Sequence, residues 1–139
     1  MPERVIEEMD SEECLRLVSP GGVGRIAYGT GGGLAIRPVN YRIIDGSVVF
    51  RTAEHGALDQ DLRTGIEGAE YRVAFEIDDL DPERQQGWSV LMQGPAHHLT
   101  GAERDAYRDA GLVTWAGGER EMYVRITPSR ITGRRVRQA

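Results

Sequence analysis

Hydrophobic and polar residues alternate along much of the chain, and this pattern predicts a protein built mainly of β-strands. In the clearest stretch, residues 71–78, large apolar side chains occupy every second position, and charged or small residues lie between them. Because successive side chains of a strand point to opposite faces, a period of two is typical of a half-buried strand. Six further strands are expected at residues 23–28, 34–44, 47–52, 88–99, 121–126 and 130–136.

The connections between these strands favour an antiparallel arrangement. Asp45-Gly46 is a typical two-residue hairpin sequence, so the strands on either side of it are expected to pair antiparallel. Pro38 lies inside the second of the seven strands, and because proline has no N–H group we expect an edge position or a bulge there. Residues 78–86 are expected to form a polar loop.

Three short helices are expected between the strands, at about residues 11–19, 56–64 and 100–110. Asp10 and Glu13 have the spacing of a capping box at the start of the first helix, and Thr100 and Glu103 have it at the start of the third. About seven strands and three short helices, without an internal repeat, predict a mainly β, closed or nearly closed antiparallel barrel. The 139 residues are expected to form one domain, residues 1–139.

All 17 basic residues are arginine, and this composition limits the chemistry. A lysine Schiff base and a phosphate-loop lysine are both excluded. Any phosphate group would have to be held by arginine, hydroxyl and backbone groups, and the planar guanidinium is well suited to that task.

The charges are distributed unevenly, although the net charge of −5 argues against a general nucleic-acid-binding protein. Residues 1–14 contain six acids and one arginine, whereas residues 125–139 contain five arginines and no acid. The two ends are therefore expected to attract each other, within one chain or across a dimer; an anion site near the C-terminus is the alternative.

The sequence also bears on location and redox state. It contains no apolar run of the roughly 18 residues that a membrane span requires, and its acidic N-terminus has no signal-peptide pattern, so we expect a cytoplasmic protein without a membrane partner. Cys14, the single cysteine, excludes an intrachain disulfide and is expected to be buried.

Three segments carry polar or cationic groups where strands usually carry aliphatic ones, and they are Arg37-Pro38-Val39-Asn40-Tyr41-Arg42, Phe50-Arg51-Thr52 and Gly87-Trp88-Ser89. In an extended first segment, Asn40 and Arg42 share one face, and the other face carries Arg37, Val39 and Tyr41. Arg51 with Thr52, just before a helix, forms a plausible phosphate site. Trp88 and Ser89 suit ring stacking or a position near a phosphate. For each segment, ordinary surface or core packing is the alternative.

Histidines are few, and they give no metal-binding pattern. His97 and His98 are adjacent in a predicted strand, so they point to opposite faces and cannot bind one metal together. No metal site is expected, although a haem with His55, His97 or His98 as axial ligand stays open. We also find no nucleophile elbow and no dinucleotide-binding fingerprint.

The order of the motifs resembles the pyridoxamine 5'-phosphate oxidase-like, flavin-binding split-barrel family, most of all its small actinobacterial members. The motifs, within residues 8–137, are Val-Gly-Arg-Ile-Ala, Arg-Pro-Val-Asn-Tyr, Asp-Gly, Val-Val-Phe-Arg-Thr-Ala-Glu, Val-Ala-Phe-Glu-Ile-Asp-Asp, Gly-Trp-Ser-Val-Leu and Ile-Thr-Gly-Arg-Arg-Val. The resemblance implies a split β-barrel homodimer with two FMN sites at the subunit interface.

The resemblance also implies residue roles. The segment from Arg37 to Arg42 would line the isoalloxazine ring and ribityl chain, and Arg51 with Thr52 would meet the phosphate. Trp88 and Ser89 would complete the site, from the partner subunit in one arrangement, and Trp115 would form a wall of the pocket.

The chain departs from the family in two respects. Family members often have a serine and a basic residue where this chain has Gly56 and Ala57, so FMN affinity is expected to be lower. The long substrate-binding C-terminal segment of true pyridoxamine phosphate oxidases is missing, so we do not expect pyridoxal phosphate to be the product.

The sequence therefore predicts an FMN-dependent oxidoreductase whose substrate and electron donor it does not identify. One alternative is a split barrel that binds a deazaflavin, whose acidic tail would suit the arginine-rich C-terminal strand, or a haem. Another alternative is a protein without catalytic activity, such as a flavin store, a flavin sensor or a dimer without cofactor.

Overall fold

A computed structural model describes residues 3–53, 56–62, 71–108, 112 and 122–139. These residues form eight strands and three helices in the order β1 (Arg4–Met9), α1 (Ser11–Val18), β2 (Gly22–Thr30), β3 (Gly33–Ile44), β4 (Ser47–Thr52), α2 (Ala57–Asp61), β5 (Tyr71–Asp81), β6 (Gln86–Leu99), α3 (Gly101–Tyr107), β7 (Met122–Ile126) and β8 (Arg130–Gln138). None of these helices is long and apolar enough to cross a membrane.

Six of the strands close into an antiparallel barrel, which confirms the predicted fold class. The order around the barrel is β6-β5-β2-β3-β4-β7, and pairing of β6 with β7 completes the circle. Alternate side chains fill its interior, including the fully buried Ile26, Phe50, Phe75, Met92 and Val124. Burial of these large apolar groups supplies most of the driving force for closing the barrel.

β8 and β1 extend the sheet beyond the barrel. β6 is long enough to pair with β7 over Ala96–Leu99 and with β8 over Gly87–Gln93 on the same edge. β1 then pairs with β8 from the opposite end of the chain. The sequence did not predict β1, because its acidic residues are not typical of a strand and its partner is remote.

The ends of the chain attract each other as expected. A carboxylate oxygen of Glu13 lies 2.7 Å from a guanidinium nitrogen of Arg135, and Nε of Arg137 donates a hydrogen bond of 2.9 Å to Glu7. The complementarity therefore operates within one chain. We call this contact between β1, α1 and β8 the terminal seam.

The predicted helix caps have different outcomes. The Glu13 N–H donates a 2.9 Å hydrogen bond to the Asp10 carboxylate, so the predicted cap of α1 is confirmed. The Glu13 carboxylate accepts hydrogen bonds from Arg16 and Arg135 rather than from the Asp10 N–H, so the other half of this capping box is not formed. Thr100 caps α3 without a side-chain hydrogen bond, so the second capping box was wrong. The carboxylate of Glu103 lies 3.6 Å from Arg125 instead, an ion pair that draws it away from the helix start.

The backbone confirms one of two predicted connections between strands and shortens the other. Asp45 and Gly46 have φ values of 51° and 77°, as a two-residue hairpin with a primed turn requires. The polar loop expected at residues 78–86 was too long, because β5 continues to Asp81 and β6 begins at Gln86. Ladder hydrogen bonds from the backbone hold these polar residues in the strands regardless of their side chains.

Candidate functional site

β3 and β4 separate at one point, and this divergence brings two of the three predicted segments together. Their ladder ends at the pair Tyr41–Phe50, so Asn40 and Arg51 are the first residues beyond it. From there β3 continues along β2, and β4 continues along β7. The expected free edge at Pro38 is thus confirmed among the described residues, where this part of β3 pairs with β2 alone. Residues 37–40 and 51–52 flank the same opening.

Arg37 is held in place at this opening by a tyrosine and an aspartate. Nε of Arg37 donates a 2.8 Å hydrogen bond to the Tyr28 hydroxyl, which in turn donates a 3.0 Å bond to Asp61 at the end of α2. A terminal nitrogen of Arg37 lies 3.9 Å from Asp61, and the side chain is 44% exposed. Burial is the main cause of a raised pKa of Tyr28, so the hydroxyl keeps its proton at neutral pH. The structure therefore presents an oriented and accessible guanidinium.

Tyr41, by contrast, is a core residue. Its side chain is 4% exposed, its hydroxyl donates a 2.9 Å hydrogen bond to the Val18 carbonyl, and its ring packs edge-to-face on Phe75. Burial raises the pKa of Tyr41 to about 12. Val39 on the same face also packs against the core. Any contact of Tyr41 with a ligand at the opening would have to come from its backbone.

The other residues of this segment face outward, in agreement with the predicted alternation. Pro38 and Arg42 are exposed, and Asn40 is half-buried. The two faces of β3 thus differ: one carries Arg37 beside buried apolar groups, and the other carries polar groups near solvent.

Arg51 and Thr52 do not meet at one point, because neighbours in a strand point to opposite faces. The Arg51 side chain lies on the outside of the barrel, where it donates a 3.1 Å hydrogen bond to the Leu112 carbonyl and stacks 5.5 Å from the centre of the Tyr123 ring. Thr52 is 7% exposed and shares the inward face of Phe50. Sequence reasoning treated the two as one phosphate site, although the same alternation rule could have separated them.

The start of α2 lies close to this strand end. Gly56 is its N-cap residue, with no side-chain hydrogen bond, and its N–H donates a 3.0 Å bond to the Ala53 carbonyl. Gly56 and Ala57 add no hydroxyl or cation, as the sequence indicates. His55 lies outside the described residues.

Trp88 and Ser89 are far from Arg51 within one copy of the chain. Arg51 pairs with Tyr123 and Tyr123 with Leu99, so eleven residues of β6 separate Trp88 from this position. At about 3.3 Å per residue the separation along the strand is about 36 Å. Trp88 is half-buried against the core, and Ser89 lies opposite Arg134 of β8. Trp115 lies outside the described residues.

The two histidines of β6 face different partners, as their adjacency predicts. Nε2 of His98 lies 2.6 Å from the fully buried carboxylate of Asp59 in α2, and Nε2 of His97 lies 2.8 Å from Arg125. No group of three or more potential metal ligands occurs in the part of the chain that the structure describes. Sequence reasoning missed Asp59 and Asp61, which α2 carries to the end of the barrel.

The outward side chains of β3, β2, β5, β6, β8 and β1 form one continuous surface, which we call the outer face. The exposed large hydrophobic residues among those described all lie on it, and they are Ile6, Leu34, Ile36, Leu80 and Leu91. Two neighbouring cavities of about 400 and 300 Å³ share Ala27, Ile36 and Ala74 as lining residues. Ala27, Ile36, Ala74 and Leu91 form an apolar area on this face, next to the charged residues Arg25, Glu76 and Asp78.

An acidic pair lies within this apolar surface. Arg25 contacts the carboxylates of both Glu76 and Asp78, at 3.4 and 3.6 Å. Burial, followed by a hydrogen bond with Asp78, raises the pKa of Glu76 to about 7, so one proton is shared near neutral pH.

Comparisons with known proteins agree with this fold. The family model for pyridoxamine 5'-phosphate oxidase matches residues 10–135. The uncharacterized protein Rv0080 of Mycobacterium tuberculosis is 35% identical over 96% of this chain and 87% of its own length. The FAD binding protein of Mycobacterium smegmatis is 32% identical, with a TM-score of 0.74 over 94% of this chain and 100% of that one.

A conserved protein of unknown function from Corynebacterium diphtheriae is 28% identical, with a TM-score of 0.70 over 93% of this chain and 96% of that one. The family model covers most of the sequence, and the barrel with its two added strands supports the same assignment. The chain belongs to the pyridoxamine 5'-phosphate oxidase-like, flavin-binding split-barrel family.

Proposed function

We propose that this protein is a flavin-dependent oxidoreductase that holds FMN at the divergence of β3 and β4. The observation that carries the proposal is the accessible Arg37 guanidinium, fixed by Tyr28 and Asp61 beside the opening. Binding of FAD by the relative from Mycobacterium smegmatis supports a flavin and makes FAD the nearest alternative to FMN.

The residues at the opening fit such a group. A bound flavin supplies the two-electron redox chemistry, and the protein supplies orientation and charge. Arg37 offers positive charge for the pyrimidine end of the ring, where reduction leaves negative charge. The Tyr28 hydroxyl orients Arg37 without adding negative charge, since it stays protonated and donates its hydrogen bond to Asp61. Arg51 adds positive charge at the end of β4.

The experiment is a visible absorption spectrum of the purified protein with and without added FMN or FAD. We expect flavin bands that remain with the protein after gel filtration. Arg37→Gln should raise the flavin Kd by about tenfold to 100-fold, the cost of one charge-assisted hydrogen bond. Arg84→Gln, at a 74% exposed position, is the matched control and should change the Kd less than twofold. Absence of flavin uptake at high micromolar concentration would refute the proposal.

A homodimer is part of this proposal, with the outer face as its interface. A two-fold dimer requires a self-complementary surface, and this face carries apolar residues together with Arg25 and the carboxylates it contacts. A stable interface buries about 1,200–2,000 Å² in total, which six strands can supply. The partner subunit would then bring Ser89, on the outer face of β6, toward the flavin, and Trp88, which packs against the core of its own subunit, would hold this segment in place. Ile36→Glu should yield monomers in sedimentation experiments, whereas a wild-type protein that is monomeric at high concentration contradicts this arrangement.

A haem is less compatible with the described histidines. Nε2 of His98 is bound to Asp59 and Nε2 of His97 to Arg125, so iron coordination through either Nε2 would displace a partner. A deazaflavin has a different absorption maximum from FMN, so the same spectrum separates the three cofactors.

Turnover distinguishes an oxidoreductase from a flavin store or sensor. We expect reduced nicotinamide donors to bleach the flavin bands and oxygen to restore them. Tight flavin binding without bleaching by any donor would favour storage or sensing. A cytoplasmic location, which suits such donors, stays a prediction.

A further inference from the structure

The arginines of β8 alternate between two faces, and their surroundings differ. On one face, Arg135 and Arg137 are bound to Glu13 and Glu7 in the terminal seam. On the other face, Arg130 and Arg134 make no hydrogen bond or ion pair with any other residue that the structure describes. Both are exposed. The arginines on this face of β8 therefore make no polar contact that holds the described fold together.

These unused arginines line a cavity of about 600 Å³. Its polar lining residues are Glu8, Asp10, Ser11, Ser89, Arg130, Thr132 and Arg134. The volume is within the usual range of small-molecule sites. Arg134 lies opposite Ser89 on β6 and opposite Glu8 on β1, so a cation, a hydroxyl and a carboxylate lie side by side across three strands.

The two acids at the cavity differ in what they can still bind. Oδ1 of Asp10 accepts the capping hydrogen bond of α1, which fixes the orientation of this carboxylate. Glu8 makes no ion pair with Arg134 within 4 Å, although the two are cross-strand neighbours. Glu8 can thus accept hydrogen bonds from hydroxyl groups of a ligand, while Arg134 remains free for an anion.

We propose that this cavity binds a phosphorylated small molecule that also carries hydroxyl groups, such as a sugar phosphate or a nucleotide. Arg134, with the hydroxyls of Ser89 and Ser11, holds the phosphate, because a guanidinium with adjacent hydroxyl donors replaces the lysine that this chain lacks. Glu8 accepts hydrogen bonds from the sugar hydroxyls. Arg130 lies four residues from Arg134 on the same face, about 13 Å along the strand, and reaches a second anionic group of a longer ligand.

In one copy of the chain this site is separate from the proposed flavin site, although in the proposed dimer Ser89 would lie near both. The cavity lies on β6, β8 and β1, whereas the opening lies between β3 and β4, and β5 and β2 stand between β6 and β3. Leu91 lines both this cavity and one of the cavities of the apolar part of the outer face. A bound phosphate compound would therefore lie at the margin of the proposed dimer interface. The inference does not require a flavin.

The experiment is a calorimetric titration of the full chain with ADP, with ribose 5-phosphate and with inorganic phosphate, at constant ionic strength. It is performed on protein as purified and on protein saturated with FMN. We expect ADP and ribose 5-phosphate to bind in both states, and more tightly than phosphate alone. Arg134→Gln should weaken binding of both compounds by about tenfold to 100-fold. Glu8→Gln should weaken ribose 5-phosphate but leave inorganic phosphate within twofold.

Arg108→Gln is the matched control, since it removes the same charge from an exposed position on the turn after α3. It should alter binding less than twofold, and thermal unfolding verifies that every variant is folded. Equal effects of Arg134→Gln and Arg108→Gln would overturn the proposal, as would the absence of binding to the wild-type protein. Binding that disappears on saturation with FMN would place the phosphate in the flavin site and also overturn it. Loss of flavin uptake with retention of ADP binding would refute the proposed function alone.

Discussion

The terminal seam and the acidic pair of the outer face use the same residue types and reach opposite protonation behaviour. In the seam, hydrogen bonds from Arg16 and Arg135 lower the pKa of Glu13 to about 2. On the outer face, burial and a neighbouring carboxylate raise the pKa of Glu76 to about 7, although Arg25 is in contact.

Burial of Glu76 is the first cause of this difference, and the ratio of charges is the second. Two arginines contact one carboxylate at Glu13, whereas two carboxylates share one arginine on the outer face. The seam is thus complete within one chain, while the acidic pair, with its single arginine, retains an excess of negative charge beside apolar residues. We infer that the terminal seam stabilises the fold and that the acidic pair lies on a surface that a partner covers.

The largest expected effect comes from packing in the seam. A Cβ atom on Gly133 would lie 2.5 Å from Sγ of Cys14 and 3.2 Å from the Ser89 carbonyl oxygen. Gly133→Ala should therefore lower the free energy of unfolding by about 1–3 kcal/mol, as overpacked cores do. Gly29→Ala on the outer face, where nothing lies within 4 Å, is the control and should change it by less than about 0.5 kcal/mol. Equal effects in chemical denaturation would contradict the contrast in packing.

The next effect concerns acid stability. Because the folded-state pKa of Glu13 lies below its unfolded value of 4.5, its contribution is present above pH 4.5 and is lost as the pH falls toward 2. Glu13→Gln should lower the melting temperature at pH 6, and the difference should shrink toward pH 2. High salt should also reduce it. A difference that is independent of pH would show that Glu13 acts through packing.

The acidic pair should respond in the opposite direction. Glu76 binds its proton more tightly in the folded state than in the unfolded state. Its own contribution to the free energy of unfolding is therefore fully present below pH 4.5 and is lost as the pH rises through about 7. Glu76→Gln should stabilise the protein at pH 8 and have little effect at pH 4. We expect a gain of at most about 1 kcal/mol, because the side chain is 36% exposed and solvent screens the repulsion. Destabilisation at pH 8 would mean that the ion pair with Arg25 outweighs the repulsion.

The smallest expected effect concerns the proposed dimer. If the outer face is covered by a second copy, ionisation of Glu76 is penalised further, and the dimer should dissociate more readily at pH 8 than at pH 6. Sedimentation experiments at the two values measure this difference. Glu76→Gln should remove it, whereas Glu103→Gln, at a 56% exposed position outside this face, should not.

The sequence predicted those elements whose signals are local. The alternation around Phe75, the turn at Asp45-Gly46 and the cap at Asp10 each depend on residues a few positions apart, and the structure has all three. β1 was missed because residues at the other end of the chain decide its strand conformation. Thr100 has the sequence of a helix cap. In the structure, however, Glu103 pairs with Arg125 of β7, a strand that lies too far away in the sequence for local reasoning to include.

The candidate functional site was predicted only in part, again because its geometry depends on contacts between residues that are remote in the sequence. The position of Arg37 follows from alternation along β3, but its orientation depends on Tyr28 and on Asp61, which only the folded barrel brings together. Arg51 was recognised as a cation, but the Leu112 carbonyl that it binds is 61 residues away. Sequence spacing identifies candidate groups, whereas tertiary contacts decide which of them remain free for a ligand.

The pairing of β1 with β8 has a consequence for biosynthesis. Residues 4–9 leave the ribosome long before residues 133–138 are synthesised, so the first strand has no partner until β8 emerges. Until then the edge of β6 at Gly87–Gln93 also has no neighbour. We expect the sheet to be completed only after β8 has emerged, and a nascent chain stalled shortly before β8 to need chaperone protection against edge-to-edge association.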